Sequence, residues 1–356
     1  MTVYHYILLF VLLFTIIELN LGSNSKGLKV ISNSLFFITF VFLIFFVGLR
    51  YDTGFDYRNF EKLFYILRSE NAPTIIEPAF ALLCNIVGSF RTLLLVMSVL
   101  TFVPLYLAVK RYSPYRFFSL LLYLPILYQM AMGQMRQGVA ISFLLLAFLF
   151  LANKEKRKFV FVVIIASLFH ASALLAFAAL FVPNKIKSNK LYFIILGVAA
   201  VLNFTIRPLA VSLIYLFPAG FIQDSLLHYV RTEVPILGIN FAAILRIITV
   251  LLGIFLRKKY ENDTVLCTFF NIFFIGAIFY IALGIIPQLG VRGSLNLTIV
   301  EILIIPAFFY LAKKWIKLAI FIIYTFISIN RQSVYFMDSS SRWFEDYVPY
   351  KHERLL

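Results

Sequence analysis

Two strings gather the residues in this chain that can move protons or hold anions. The first, Arg50-Tyr51-Asp52-Thr53-Gly54-Phe55-Asp56-Tyr57, follows directly on a long apolar run. Asp52 and Asp56 are four residues apart. On a helix they share a face and in a turn around Gly54 they point into one pocket, so either geometry offers carboxylates for general-base work. Arg50 adds a cation, and Tyr51, Phe55 and Tyr57 interleave the charges either as stacking faces for sugar rings or as an interfacial aromatic belt. The second string, Gly133-Gln134-Met135-Arg136-Gln137-Gly138, joins two apolar segments with almost no loop. The guanidinium fork of Arg136 suits a phosphate, with Gln134 and Gln137 donating beside it; the plain alternative is an arginine that snorkels to the interface. Arg292, in Gly290-Val291-Arg292-Gly293-Ser294, repeats the arrangement. Two such arginines suit a pyrophosphate better than one.

Further candidates are more isolated. His170 stands in Ala166-Ser167-Leu168-Phe169-His170-Ala171-Ser172, which reads as the middle of an apolar span, where a histidine serves as proton acceptor or as a helix-to-helix hydrogen bond. Glu77 precedes Pro78, the pattern of a helix N-terminus, and is a cap or a third acid of the same cavity. His228, Arg231 and Glu233 fit a solvated loop, and the stretch Ser341 to Tyr350 mixes aromatics with charges as both saccharide sites and interfacial anchors do.

The elements that position these groups follow from composition. Hydrophobic residues make up 62% of the 356 and mean hydropathy is +0.94, so the fold class is all-α, polytopic and membrane-integral. The runs are continuously apolar, as in Phe36 to Val47 or Phe269 to Leu283, where barrel strands would alternate. Spans are expected near 3–21, 31–49, 92–109, 117–133, 138–152, 159–182, 191–206, 209–222, 238–256, 264–284, 295–312 and 316–330, about twelve in all. The segment 75–90 reads as a re-entrant or half-depth helix. Met1 to Leu21 reads as a retained first span, lacking a basic start and a small-residue cleavage site and holding Glu18.

The net charge of +16 does not point to nucleic acid, because clusters such as Lys154-Glu155-Lys156-Arg157-Lys158 and Arg257-Lys258-Lys259 lie between spans as cytoplasmic anchors. With basic loops inside, the outer face receives the loop 50–74, the turn 133–137, the loop 223–237, the turn 285–294 and the polar tail 331–356. The whole of 1–356 reads as one transmembrane domain. Cys84 and Cys267 are far apart, with no partners at metal spacing, so neither a disulfide nor a metal site is expected, and no cofactor.

The order Arg-x-Asp-x-Gly-x-Asp-Tyr after the second span, then Glu77-Pro78, Met135-Arg136-Gln137-Gly138-Val139-Ala140 and Phe169-His170-Ala171-Ser172-Ala173 resembles the EpsG family, the Wzy-like polymerases of bacterial O-antigen, capsule and exopolysaccharide. The resemblance covers roughly residues 40–180, with Arg292 a further counterpart. It implies a metal-independent glycosyltransferase of GT-C type in the bacterial inner membrane, joining oligosaccharide repeat units carried on undecaprenyl pyrophosphate at the outer or periplasmic face. Its partners would be lipid-linked donor and acceptor, the bilayer and a chain-length regulator, with no nucleic acid. On that reading Arg50, Tyr57, Glu77, Arg136, Gln137 and Arg292 bind substrate, and His170, Asp52 or Asp56 takes the proton of the attacking hydroxyl. A lipid-linked oligosaccharide flippase, an O-antigen ligase and a membrane acyltransferase are the competing readings.

Overall fold

The computed structural model describes residues 2–21, 26–69, 76–215, 227, 240–284 and 288–352. Among these the regular elements are all helical, and the one β-type pairing is an isolated antiparallel bridge between Arg50 and His352. Among the described residues four helices are long and apolar enough to cross a membrane: Val3–Asn20, Phe90–Tyr112, Met135–Ala152 and Thr264–Leu283. A fifth is reached if the bent pair Gly290–Thr298 and Glu301–Leu311 is one broken span. The chain is a helical membrane protein.

The contacts separate two compact units. The first comprises 1–149, 157–171 and 302–356. In it α1 (Val3–Leu21) packs on α6 (Arg116–Ile126), and α2 (Lys26–Gly48) packs on α5 (Phe90–Tyr112). Short α3 (Tyr57–Leu67) and α4 (Pro78–Ile86) lie between them in sequence, followed after α6 by α7 (Met135–Ala152) and α8 (Lys156–Phe169). Hydroxyls tie these helices across apolar faces: Ser98 donates to the Ile44 carbonyl at 2.8 Å and Ser119 to that of Ile302 at 2.7 Å. Glu18 explains itself here. Its carboxylate accepts from the backbone N–H groups of Arg116 and Phe117, at 2.8 and 2.9 Å, and so satisfies the open start of α6 from a neighbouring helix.

The second unit comprises 150–156 and 172–301. It holds most of a 3₁₀ helix (Ala171–Phe181), then α9 (Asn189–Ile214), α10 (Phe241–Leu256) and α11 (Thr264–Leu283), and a π-helical turn (Gln288–Gly293) leading into short α12 (Ser294–Thr298). Asn240 caps α10 by accepting from Ala243 N–H, and Asp263 caps α11 by accepting from Val265 and Leu266 N–H. The chain then returns to the first unit through α13 (Glu301–Leu311) and α14 (Lys314–Phe336).

Several expected spans have different bounds. The run 159–182 is not one continuous α-helix: α8 stops at Phe169 and the chain resumes as 3₁₀ helix, so His170 occupies a break and not the middle of a span. The run 117–133 turns π-helical from Leu127, just after Pro125, whose ring removes a hydrogen bond from the α ladder. The segments 191–206 and 209–222 merge at least to Ile214, because a proline such as Pro208 does not end a helix whose freed backbone groups find partners nearby. The tail begins later than expected, α14 continuing to Phe336. Helix α4 has nine residues, about 13 Å at 1.5 Å per residue, less than half the hydrocarbon thickness. The loop 223–237, with His228, Arg231 and Glu233, lies outside the described residues but for Leu227.

Close approach of α10 and α11 depends on Gly253, where a Cβ would enter the ring of Phe270. Gly253→Leu is expected to introduce about 1–3 kcal/mol of packing strain or more, seen as a lower melting temperature of the detergent-purified protein. Gly88→Ala, where a Cβ meets nothing within 4 Å, is the matched control.

Candidate functional site

The string 50–57 is bound by the tail. Arg50, 3% exposed, aims its guanidinium inward at carbonyl oxygens and donates to Val47 at 2.5 Å, Thr53 at 3.1 Å and Met132 at 3.3 Å. It thereby ties the end of α2, the loop and the π-helical segment 127–133 together. Tyr51 N–H donates to the Lys351 carbonyl at 2.9 Å and Gly54 N–H to that of Asp346 at 2.7 Å. Gly54 has φ +108°, and a Cβ there would strike the Met132 carbonyl, so glycine is required by both conformation and space. Three tyrosines complete the clasp. Tyr347 donates to the Tyr128 carbonyl at 2.5 Å, Tyr4 to that of Tyr347 at 2.7 Å, and Tyr350 to that of Phe46 at 2.6 Å. Phe55 meets Trp343 at 4.7 Å, and the Arg342 guanidinium lies 4.1 Å over that indole.

The carboxylates divide. Asp52 receives a two-pronged contact from Arg58, 2.8 and 2.9 Å, and the Lys351 ammonium at 3.1 Å. Hydrogen bonding to Arg58, with Lys351 helping, holds its carboxyl at about 2, below its ordinary 3.8, so it is a weak proton acceptor. Asp56 stands at the N-cap of α3 and accepts from Asn59 at 3.2 Å, without a side-chain bond to the helix backbone. Asp346 of the tail is pushed the other way, first by burial and then by the charges of Asp56, Glu345 and Asp52, although Arg58 opposes them. Tyr57 is buried against Phe90, ring centroids 5.3 Å apart, while Tyr51 stays 45% exposed.

Arg136 opens α7 just after the π-helical segment, and Gln134 between them has the non-helical ψ of 62°. It forms an ion pair with Glu77 at the start of α4. Its guanidinium also lies 5.5 Å from the Phe60 ring of α3 and 5.4 Å from the Phe80 ring of α4. Phe60 and Phe80 pack on each other at 5.8 Å, so the two short helices form an aromatic slot around the pair. Gln137 is 1% exposed. Its neighbour Gln134 keeps a buried Oε1 with no hydrogen-bond partner among the described residues. The structure thus brings Glu77 and Arg136 together, and separately gathers Arg50, Asp52, Asp56 and Tyr57 under the tail. His170 is half-buried at its break, its N–H bonded to the Ala166 carbonyl at 3.1 Å.

In the second unit Arg292 is half-buried in the π-helical turn. Asn296, fully buried, steadies that turn by donating to the Ser172 carbonyl and hydroxyl at 3.0 Å, with the Arg292 carbonyl at 3.4 Å. The sequence reading passed over Arg246 in α10 and Glu301 at the start of α13, whose Oε1 accepts from Thr249 at 3.3 Å. Each is an ionisable residue inside an apolar stretch, which is itself the signal that would have found it. It also passed over Arg58 and Lys351, whose importance arises only once the tail folds back.

A family model described as the EpsG family matches residues 33–352. The chain belongs to the EpsG family. The match reaches well beyond the 40–180 stretch that carries the resemblance in sequence, and takes in Arg292 and most of the tail. The EpsG family is a Wzy-like polysaccharide polymerase family, which makes this chain a membrane protein of exopolysaccharide or O-antigen polymerase type. No curated protein and no solved structure matches it.

Two outcomes follow for this EpsG-family clasp. Tyr347→Phe removes a buried hydrogen bond and leaves the Tyr128 carbonyl without it, a loss of about 1–3 kcal/mol, read as a lower melting temperature and faster protease cleavage between Met337 and His352. Asp346, with a folded carboxyl raised above its unfolded value, penalises the folded tail as pH rises through that raised value. Asp346→Asn should therefore slow the same cleavage at pH 7 and lose that advantage near pH 3. Equal cleavage of Asp346→Asn and wild type at pH 7 would contradict the assigned electrostatics.

Proposed function

We propose that the protein polymerises oligosaccharide repeat units carried on undecaprenyl pyrophosphate, at the outer face of the bacterial inner membrane, without metal or nucleotide sugar. The observation that carries this reading is the Arg136–Glu77 pair in its aromatic slot beside a helix break, within a chain of the EpsG family. An arginine held by one carboxylate between two rings is positioned in advance, and it can exchange that carboxylate for a diphosphate oxygen without changing its own place. Arg292 offers the same kind of cation in the second unit. About twelve crossings and a GT-C-type arrangement belong to this proposal, as does a chain-length-regulating partner.

In the reaction a hydroxyl of the acceptor repeat unit attacks the anomeric carbon of the donor glycan. The new glycosidic C–O bond forms as the bond from that carbon to the lipid pyrophosphate breaks, and the electron pair leaves with the pyrophosphate. The configuration inverts in this single displacement. His170 is the favoured base, because an imidazole nitrogen can accept the hydroxyl proton whereas Asp52 is committed to two cations. Arg136 stabilises charge as it grows on the leaving pyrophosphate. Arg50, bonded to three carbonyls, supports the loop and leaves headgroup binding in the first unit to Arg136.

Purified protein supplied with its native lipid-pyrophosphate repeat unit should yield a ladder of longer lipid-linked glycans. Arg136→Ala should lower the rate by about 100-fold or more, the scale of one lost electrostatic contact in a transition state. His170→Ala should lower kcat with little change in KM, and Glu77→Gln should lower KM by removing the competing carboxylate. If well-folded wild type gives no ladder but translocates the same lipid between leaflets, the polymerase reading fails and the flippase reading replaces it.

A further inference from the structure

In the first unit α5 stops at Tyr112, α6 starts at Arg116, α13 stops at Leu311 and α14 starts at Lys314. These ends meet. Tyr115, just before α6, sets its ring 5.3 Å from that of Phe309 and 6.3 Å from that of Tyr310, both in the last turn of α13. Lys317, in the first turn of α14, holds its ammonium 5.4 Å from the same Phe309 ring. Arg116 bonds to Asn33 of α2 and donates to the Lys110 carbonyl at 3.3 Å, while the Lys110 ammonium lies 5.2 Å from the Tyr106 ring. Six cations are thereby gathered in two groups: Lys110, Arg111 and Arg116 from α5 and α6, and Lys313, Lys314 and Lys317 from the α13–α14 joint. The Tyr115–Phe309 contact lies between them.

Among the described residues none of the six is in an ion pair. No Asp or Glu stands between Glu77 and Glu155 or between Glu301 and Asp338, and Glu18, which packs here, is taken up by the N–H groups of Arg116 and Phe117. Other basic clusters differ: Arg257 pairs with Glu261 at 3.5 Å, and the run Lys154 to Lys158 contains Glu155. Like charges gathered without counter-ions favour an anion from outside. The surroundings indicate its source. Trp315 is 78% exposed and Tyr310 59%, rings of the kind that settle at headgroup depth. Exposed apolar stripes lead away from both groups, Leu107 and Val103 one and two turns back from Lys110, and Leu318 and Ile322 one and two turns on from Lys314.

We propose that this corner binds one anionic phospholipid with two phosphates, of the diphosphatidylglycerol kind, one phosphate meeting Lys110 and Arg111 and the other Lys313 and Lys314. Two cation groups flanking an aromatic contact match two phosphates joined by a glycerol bridge, and the apolar stripes receive the acyl chains, which a soluble phosphate lacks. The lipid is a structural partner and not a substrate. Helix α5 begins at Phe90, which packs on Tyr57 of the 50–57 string, and runs 23 residues to this corner, about 34 Å at 1.5 Å per residue. The corner therefore lies at the opposite end of α5 from the tail clasp, in the leaflet where basic loops are expected to be cytoplasmic.

The test titrates the full chain, purified in detergent, with diphosphatidylglycerol, phosphatidylglycerol or phosphatidylcholine, reading melting temperature and the lipid retained in native mass spectrometry. Neither readout depends on glycan transfer. Diphosphatidylglycerol should raise the melting temperature and phosphatidylcholine should not, and added salt should weaken the effect. The double variant Lys313→Gln with Lys314→Gln should bind diphosphatidylglycerol about 10- to 30-fold more weakly, the scale of two cations at an anionic lipid surface. Lys156→Gln with Arg157→Gln, which removes the same charge elsewhere, should bind as wild type does. Wild-type affinity in the Lys313 and Lys314 variant overturns the proposal, as does equal affinity of the wild type for phosphatidylglycerol at matched phosphate. All four substituted side chains of the two groups are exposed. If the first variant nonetheless melts early without lipid, Lys110→Gln with Arg111→Gln decides from the other group, and wild-type affinity there overturns the proposal equally.

Discussion

In hydrocarbon every backbone N–H and C=O must find a partner inside the protein, and the α-helix satisfies this by itself only while it is unbroken. This EpsG-family chain breaks it repeatedly: at the π-helical segment 127–133, at His170, and at the turn 288–293. Each break carries or directly precedes one of the polar residues singled out in the sequence, namely Arg136, His170 and Arg292. The same constraint explains the supporting side chains. Arg50 donates to the Met132 carbonyl at the first break, and Asn296 donates to the Arg292 and Gly293 carbonyls at the third. Polar residues are needed there to satisfy the backbone, and once present they put charge and hydrogen-bond capacity at the breaks.

Two carboxylates of the first unit are matched to cations. Asp52 is bracketed by Arg58 and Lys351, and Glu77 answers Arg136. The two sets differ in what they leave available. The Asp52 set is knitted into the tail by backbone bonds on both sides, which suits a structural clasp. The Glu77–Arg136 set is a pair between two phenyl rings, outside the backbone bonds of the tail.

The second unit shows a different way of keeping an arginine in an apolar helix. Arg246 has an aromatic face beneath it, and that ring is held by Asn240, the residue that also caps the helix. Cap, ring and cation form one chain of contacts, so the start of α10 fixes the orientation of a side chain almost two turns further along.

Composition and periodicity alone determined that this is a helical membrane protein, because long uncharged runs have no other stable arrangement in a bilayer. The motif order from Arg50 to Ala173 was enough to place it in its family. The residues Arg136, His170 and Arg292 were visible as polar groups in greasy surroundings, a signal that survives without any knowledge of neighbours. Only the tertiary structure decided their partners. That Glu77 faces Arg136 across 59 residues, that Lys351 reaches Asp52 across 299, and that Tyr347 closes over Tyr128 across 219 depend on how helices and tail pack. Helix breaks were equally hidden, since a 3₁₀ or π stretch has the same hydropathy as the α-helix it interrupts. Sequence carries which side chains need satisfaction in the membrane; the fold chooses which carbonyl, carboxylate or ring provides it, because contacts between distant segments leave no local periodicity to read.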